Sequence, residues 1–311
     1  MWTIKLPIRR MVEFLLRSGS IDARAGGGFD RAQEGSRIHR RLQKEGGADY
    51  RAEVPLAMEI SCGDFCYTLE GRADGVLTDR ANGGRTVIDE IKTTHQPIEF
   101  VTENGNPAHW AQACCYGYIL CAQESLPGVT VRLTYVQADT GELRRFYRDY
   151  TRETLETETM TLLRRYERWA RLDAEWHDRR NESLRALTFP FGAYRAGQRE
   201  MAAAVYRTIA AGDRLFCCAP TGIGKTMSTV FPALKAMGGG MGDQLFYLTA
   251  KTMTARAAEE ALARLHVHCP ELKLRAITLT AKDKICMLDE RSCTPDACPY
   301  ADGYFDRAND A

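Results

Sequence analysis

Asp74, Glu90 and Lys92 are the residue types that phosphodiester hydrolysis needs. Carboxylates hold a divalent cation against the scissile phosphate, and an amine orients the attacking water and offsets developing charge. Glu90 and Lys92 are two apart, so a strand projects both from one face, and a hairpin brings Asp74 on the preceding strand beside them. Taken alone, Glu-x-Lys also describes a solvated strand face. Three further features favour the catalytic reading: Gly71 with Asp74 at hairpin distance, Gly35 to His39 on the preceding helix, and Gln112 with Tyr116. The last two are four apart and share a helix face.

A second chemistry is written in Ala219 to Thr226, APTGIGKT. Glycines such as Gly222 and Gly224 after Thr221 let backbone amides approach a nucleotide's phosphates, Lys225 reaches the β and γ phosphates, and the Thr226 hydroxyl holds magnesium. Ala219 stands where the pattern begins with glycine, but the apolar run from Leu215 to Cys218 and the helix that follows supply the expected strand, loop and helix. ATP is the expected ligand. Cys286, Cys293 and Cys298 form a third group, read as thiolates for an iron–sulfur cluster, as a zinc site completed by His266 or His268, or as ordinary cysteines of a loop. A cluster needs four ligands, which places the fourth beyond Ala311. Asp289-Glu290-Arg291 lies in a polar stretch without an apolar strand ahead of it, so it is not the carboxylate box that holds magnesium opposite a phosphate loop.

The elements that must position these residues follow from periodicity. Ile8, Met11, Val12, Leu15 and Leu16 recur at helical spacing, and a helix over Arg31 to Lys44 turns Ile38 and Leu42 inward. Tyr50 to Ile60, Phe65 to Thr78 and Arg85 to Thr93 read as a meander of three strands, with turns at Ser61 to Asp64 and at Asn82-Gly83-Gly84. A helix from Pro107 to Ala122 leads to a hairpin of Val129 to Gln137 and Leu143 to Tyr150, then to a long charged helix from Thr151 to about Leu187. Beyond a boundary near Leu187 to Gly192, helices over Ala196 to Ala211, Lys225 to Met237 and Ala255 to Leu265 alternate with strands Arg214 to Ala219, Gln244 to Thr249 and Leu272 to Leu279, the pattern of a parallel α/β sheet. The domains expected are therefore 1–150, a helical connector over 151–188, and 189–311.

The 311 residues suit two domains. A net charge of +1, from 42 basic and 41 acidic residues, leaves any nucleic-acid binding to local basic grooves. Lys5, Arg9 and Arg10 have no long apolar run behind them, which predicts a cytoplasmic protein without membrane association. Eleven cysteines then read as thiols rather than disulfides, with Cys114-Cys115 and Cys217-Cys218 packing as small apolar residues. Trp110, Trp169 and Trp176 read as core or connector packing, with base stacking the other reading.

Over about Ile8 to Tyr150 the combination of His39, Gly71, Asp74, Glu90-Ile91-Lys92, Gln112 and Tyr116 resembles the RecB-like branch of the PD-(D/E)xK nucleases. The resemblance implies a mixed sheet flanked by helices, a magnesium or manganese ion held by Asp74, Glu90 and His39, and Gln112 and Tyr116 positioning the motif or the DNA strand. From Phe189 onward the loop, with Phe191, Tyr194, Arg195 and Gln198 upstream and Tyr247 to Thr252 downstream, resembles the first RecA-like lobe of XPD/DinG-like superfamily 2 helicases. That resemblance implies a parallel α/β motor domain. Gln198 would read adenine, the Tyr247 segment would contact DNA, and Lys282 to Tyr300 would begin a 4Fe–4S insertion. With no carboxylate box and no second lobe, the motor is expected to be incomplete, binding ATP but hydrolysing it poorly. The partners implied are single-stranded or branched DNA and ATP, in DNA repair. The competing readings are a non-catalytic DNA-docking module and a zinc-stabilised ATP-binding adaptor.

Overall fold

The computed structural model describes residues 1–23, 29–79, 83–250 and 252–308, and of residues 29–32 and 252–255 it describes the backbone only. Asn82 and Lys251, which fall in an expected turn and an expected DNA-contacting segment, lie outside the described residues. Two compact units divide the chain: Met1–Ala170 with Thr280–Ala311, and Arg171–Leu279. The boundary expected near Leu187 falls inside the second unit, and the cysteine segment goes with the first.

The first unit is α/β. Its elements are β1 (Trp2–Pro7), α1 (Ile8–Leu16), α2 (Phe29–Glu45), β2 (Tyr50–Cys62), β3 (Phe65–Asp79), β4 (Arg85–Thr94), α3 (Pro107–Glu124), β5 (Gly128–Gln137), β6 (Leu143–Thr151) and the start of α4 (Arg152–Ala186). The strands make one mixed six-stranded sheet in the order β1-β3-β4-β5-β6, with β2 also paired to β3. β1 runs parallel to β3 and β4 parallel to β5, and the other pairs are antiparallel. The predicted meander and hairpin are both present, whereas β1 is an addition.

Helices cover both faces of the central strands. On one, Ile38 and Leu42 of α2 join Ile91 and Val136 in a small apolar cluster. On the other lies α3, buried along most of its length, including Ala113, Cys114, Cys115, Ile119 and Leu120. Its start is fixed by Asn106, whose Oδ1 accepts from the Ala108 N–H at 3.0 Å, and by Pro107 in the first turn. All eleven cysteines are free thiols, and burial pushes Cys114 and Cys115 up to about 12, as expected of sulfur serving as small apolar filling.

Residues 293–308 pack on the chain that follows α1. The Ile21 and Ala23 N–H groups donate to the carbonyls of Ala301 and Cys293, and the Phe305 N–H donates to Gly19. The Arg17 guanidinium lies 3.7 Å from the Phe305 ring centroid. One short helix, α8 (Lys282–Ile285), precedes this segment and another, α9 (Tyr304–Ala308), ends it.

In the second unit the end of α4 packs with α6 (Lys225–Gly238) and α7 (Thr252–His268) around Leu184, Val230, Leu234 and Leu265, while α5 (Gln198–Ala211) precedes the glycine loop. The three strands expected at 214–219, 244–249 and 272–279 do not form: among the described residues none of these stretches is a strand, and Phe216, Leu248 and Ile277 are 96%, 88% and 85% exposed. A parallel strand persists only where a ladder joins it to another strand, and the one sheet among the described residues is that of β1 to β6. Cys217 and Cys218, expected to pack as apolar residues, are consequently exposed. Among the described residues no helix is long and apolar enough to cross a membrane.

Candidate active site

The site forms where β3 and β4 part. Their ladder ends at the pair Gly75 and Asp89, so the next residues outward, Asp74 and Glu90, are neighbours at its open end. Asp74 takes over the missing rung with its side chain: Oδ2 accepts from the Ile91 N–H at 2.7 Å. Its other oxygen, Oδ1, is 3.3 Å from His39 Nδ1 on α2. Gln43, one turn on, donates to the Asp74 carbonyl at 3.0 Å. Backbone and side chain of Asp74 are thus fixed from two elements.

Glu90 and Lys92 project from β4 toward α3. Lys92 Nζ donates to Glu90 Oε1 at 2.6 Å and to Gln112 Oε1 at 3.3 Å, and Gln112 Nε2 donates to Tyr116 Oη at 3.1 Å. The chain of contacts ends on Gly71. A Cβ built there would sit 2.5 Å from Tyr116 Cε1, so only glycine lets the ring lie against β3. The structure therefore brings together Gly71, Asp74, Glu90, Lys92, Gln112, Tyr116 and His39.

Glu90 is 2% exposed, and its second oxygen, Oε2, has no hydrogen-bond partner among the described residues. Burial pushes the carboxyl up to about 7, the Asp74 carboxylate adds to the rise, and Lys92 opposes it. An orphaned, fully buried carboxylate oxygen beside a second carboxylate is costly unless a cation meets it. Among the described residues no three His, Cys, Asp or Glu side chains stand as a ready-made metal group. Glu90 Oε1 is engaged by Lys92 and Asp74 Oδ2 by Ile91, which leaves Glu90 Oε2 together with Asp74 Oδ1 and the His39 imidazole, paired with each other, as the donors on offer. Hard oxygen donors with one imidazole suit magnesium or manganese.

The opposite face of β4 carries a polar cluster that the sequence reading missed. Asp89 accepts two hydrogen bonds from Arg132, at 2.8 and 2.7 Å, one from Thr134 at 2.6 Å and one from Tyr50 at 3.0 Å. Tyr50 reaches it by crossing Gly75, where a Cβ would fall 1.9 Å from the hydroxyl. The ion pair is buried, with side-chain exposures of 14% for Arg132 and 4% for Asp89, and it anchors β4 one residue before Glu90. Arg132 and Thr134 at alternate positions of a largely buried strand were the available signal.

In the second unit the glycine loop turns into a helix through two left-handed glycines, without the strand expected ahead of it. Gly222 and Gly224 both have φ of +84°, open to glycine, and Gly224 caps the start of α6, whose first residue is Lys225. Gln198 is 3% exposed, accepts from the Arg195 N–H at 3.0 Å, and lies where a Cβ on Gly224 would be 2.4 Å from its Nε2. The Arg195 side chain donates to the Gly222 carbonyl. Lys225 Nζ points back to the Ala219 and Pro220 carbonyls, and the Thr226 hydroxyl is 3.5 Å from Tyr247 Oη. Thr221 is exposed on the loop.

Cys286 is exposed and Cys293 and Cys298 are half-buried, and among the described residues these thiols are not gathered into a metal group.

No protein-family model and no curated protein matches the sequence. The crystal structure of SSO0001 is similar to 51% of this chain and 74% of that one, at 17% identity and a TM-score of 0.33, a likeness too slight to bear on function.

Proposed function

We propose that the first unit is a divalent-cation-dependent nuclease acting on DNA, of the RecB-like PD-(D/E)xK kind, and that the second binds ATP as the start of an XPD/DinG-like motor. The observation that carries the nuclease reading is the buried, partnerless Glu90 Oε2 beside Asp74. Asp74, Glu90 and His39 would hold the ion. Bound there, magnesium or manganese supplies positive charge at the scissile phosphate and makes a coordinated water acidic. Lys92, held between Glu90 and Gln112, offsets charge that develops on the phosphate and orients the incoming water. Tyr116 and Gly71 keep Gln112, and through it Lys92, in register. Arg37 and Arg40 of α2 line a groove of about 400 Å³ with Gln33 and Ser36, the kind of local basic surface that a nearly neutral chain needs to hold a DNA backbone.

For the second unit, the amides at the start of α6 with Lys225 and Thr226 would take the phosphates, and Gln198 with Arg195 would take the base. The iron–sulfur assignment rests on sequence resemblance alone, and no step here uses it. Cleavage of 5′-labelled single-stranded DNA by the purified chain, with magnesium, with manganese and with EDTA, tests the nuclease reading. Cutting should need the metal and should vanish in Asp74→Ala. Cutting that survives EDTA or that substitution, or no cutting at all, refutes it, and the last result favours a DNA-docking module.

A further inference from the structure

α3 presents a third polar residue to the sheet one turn before Gln112, and its contacts are determinate. Asn106 Oδ1 is committed to the Ala108 N–H, so the amide of Asn106 turns its Nδ2 toward His109 Nε2, 3.1 Å away. That nitrogen must then accept, and the ring proton resides on Nδ1, which donates to Tyr135 Oη at 2.8 Å. Burial, reinforced by the charges of Lys92 and Arg9, pushes His109 down to about 3, so the ring stays neutral and the tautomer holds. Having accepted from His109, the Tyr135 hydroxyl keeps its own proton as a donor, for which no acceptor occurs among the described hydrogen bonds. Burial, with a contribution from Glu90, pushes that proton's loss up to about 12.

Tyr135 is placed for the site. It is the ladder partner of Lys92, as Leu133 is of Glu90, so its side chain leaves the same face of the sheet, and it is 6% exposed. A buried hydroxyl with a spare proton beside an ammonium group complements an anion. We propose that Tyr135 donates a hydrogen bond to a non-bridging phosphate oxygen of DNA bound at the Glu90 and Lys92 face, and that His109 and Asn106 are positioning residues that keep this hydroxyl a donor. The proposal rests on the nuclease reading of that face.

The test uses the full chain and two readouts: metal-supported cleavage of single-stranded DNA, and binding of a fluorescent single-stranded oligonucleotide with calcium in place of magnesium. Losing one hydrogen bond to a charged oxygen should lower kcat/KM about tenfold or more in Tyr135→Phe and weaken binding in the same sense. His109→Ala should lose a similar factor, and the double variant no more than either single one, because all three break one chain of contacts. His109→Asn, which can present an amide N–H near the place of Nδ1, should recover most of the loss. Thermal melting of each variant separates this from a loss of folded protein, since a purely structural role would follow stability and add in the double variant. If the wild type cuts in an Asp74-dependent way and Tyr135→Phe cuts and binds unchanged, the Tyr135 proposal falls alone. Additive losses remove the positioning role of His109. A wild type that binds through Tyr135 without cutting removes the nuclease reading and leaves the phosphate contact, and one that does neither removes both.

Discussion

Replacing Glu90 by glutamine should make the metal-free protein more stable above neutral pH, although the same substitution should abolish cleavage. The carboxyl is buried with one oxygen unpartnered, and its pKa is pushed from the ordinary 4.5 up to about 7. An acid raised on folding contributes stability that is full below about pH 4.5, where both states are protonated, and is lost as the pH climbs through 7. At 1.36 kcal/mol per unit, the folded state gives up on the order of 3 kcal/mol by pH 8.5. Glutamine mimics the neutral carboxyl and has no proton to lose. For a unit of this size, the variant should therefore melt roughly 6–12 °C higher than wild type at pH 8.5 in EDTA. At pH 5 the linkage leaves a gap of about 1 kcal/mol or less. Adding manganese should raise the wild type and leave the variant where it was, closing the gap. Melting curves at the two pH values, with and without the metal, decide the matter. Equal stability at pH 8.5, or an equal gap at both pH values, would refute the idea that an ionised Glu90 is a burden which a cation relieves.

Three further substitutions probe the scaffold. Gly71→Ala forces a methyl to within 2.5 Å of the Tyr116 ring, which should cost about 1–3 kcal/mol in urea unfolding and reduce cleavage by displacing Gln112 and Lys92. Arg132→Ala strands the Asp89 carboxylate, and a loss of about 3–5 kcal/mol should appear in the same experiment. Lys225→Ala, at an exposed position of the glycine loop, should weaken ATP binding at least about tenfold by fluorescent-nucleotide titration while cleavage and melting stay at wild-type values.

What the sequence made legible was what neighbours in sequence determine. Strand-forming composition in 65–79 and 85–94, broken by Gly83 and Gly84, is enough to fold β3 onto β4, and that one hairpin sets Asp74 beside Glu90. The four-residue spacing of Gln112 and Tyr116 did the same for α3. Features resting on remote partners were not readable. β1 is six residues ending in proline, and it is a strand because it lies along residues 65–70 of β3. Asp89 reads as one more charge in the run around Glu90 until Arg132, Thr134 and Tyr50, each dozens of residues away, converge on it. The same separation hid His109 and Tyr135. In the second unit the local rule misled: 214–219 and 244–249 have strand composition, but a parallel strand forms only against a partner from elsewhere in the chain. Nor did spacing indicate that the segment carrying Cys293 and Cys298 packs beside residues 17–23.

Calorimetric titration of manganese into the metal-free chain tests the central claim most directly. A cation held by Asp74 and Glu90 predicts one saturable site in the wild type that is lost in both Asp74→Ala and Glu90→Gln, with tighter binding at pH 8 than at pH 6 as the Glu90 proton ceases to compete. Binding of equal strength in the wild type and both variants, or none in the wild type, would contradict it.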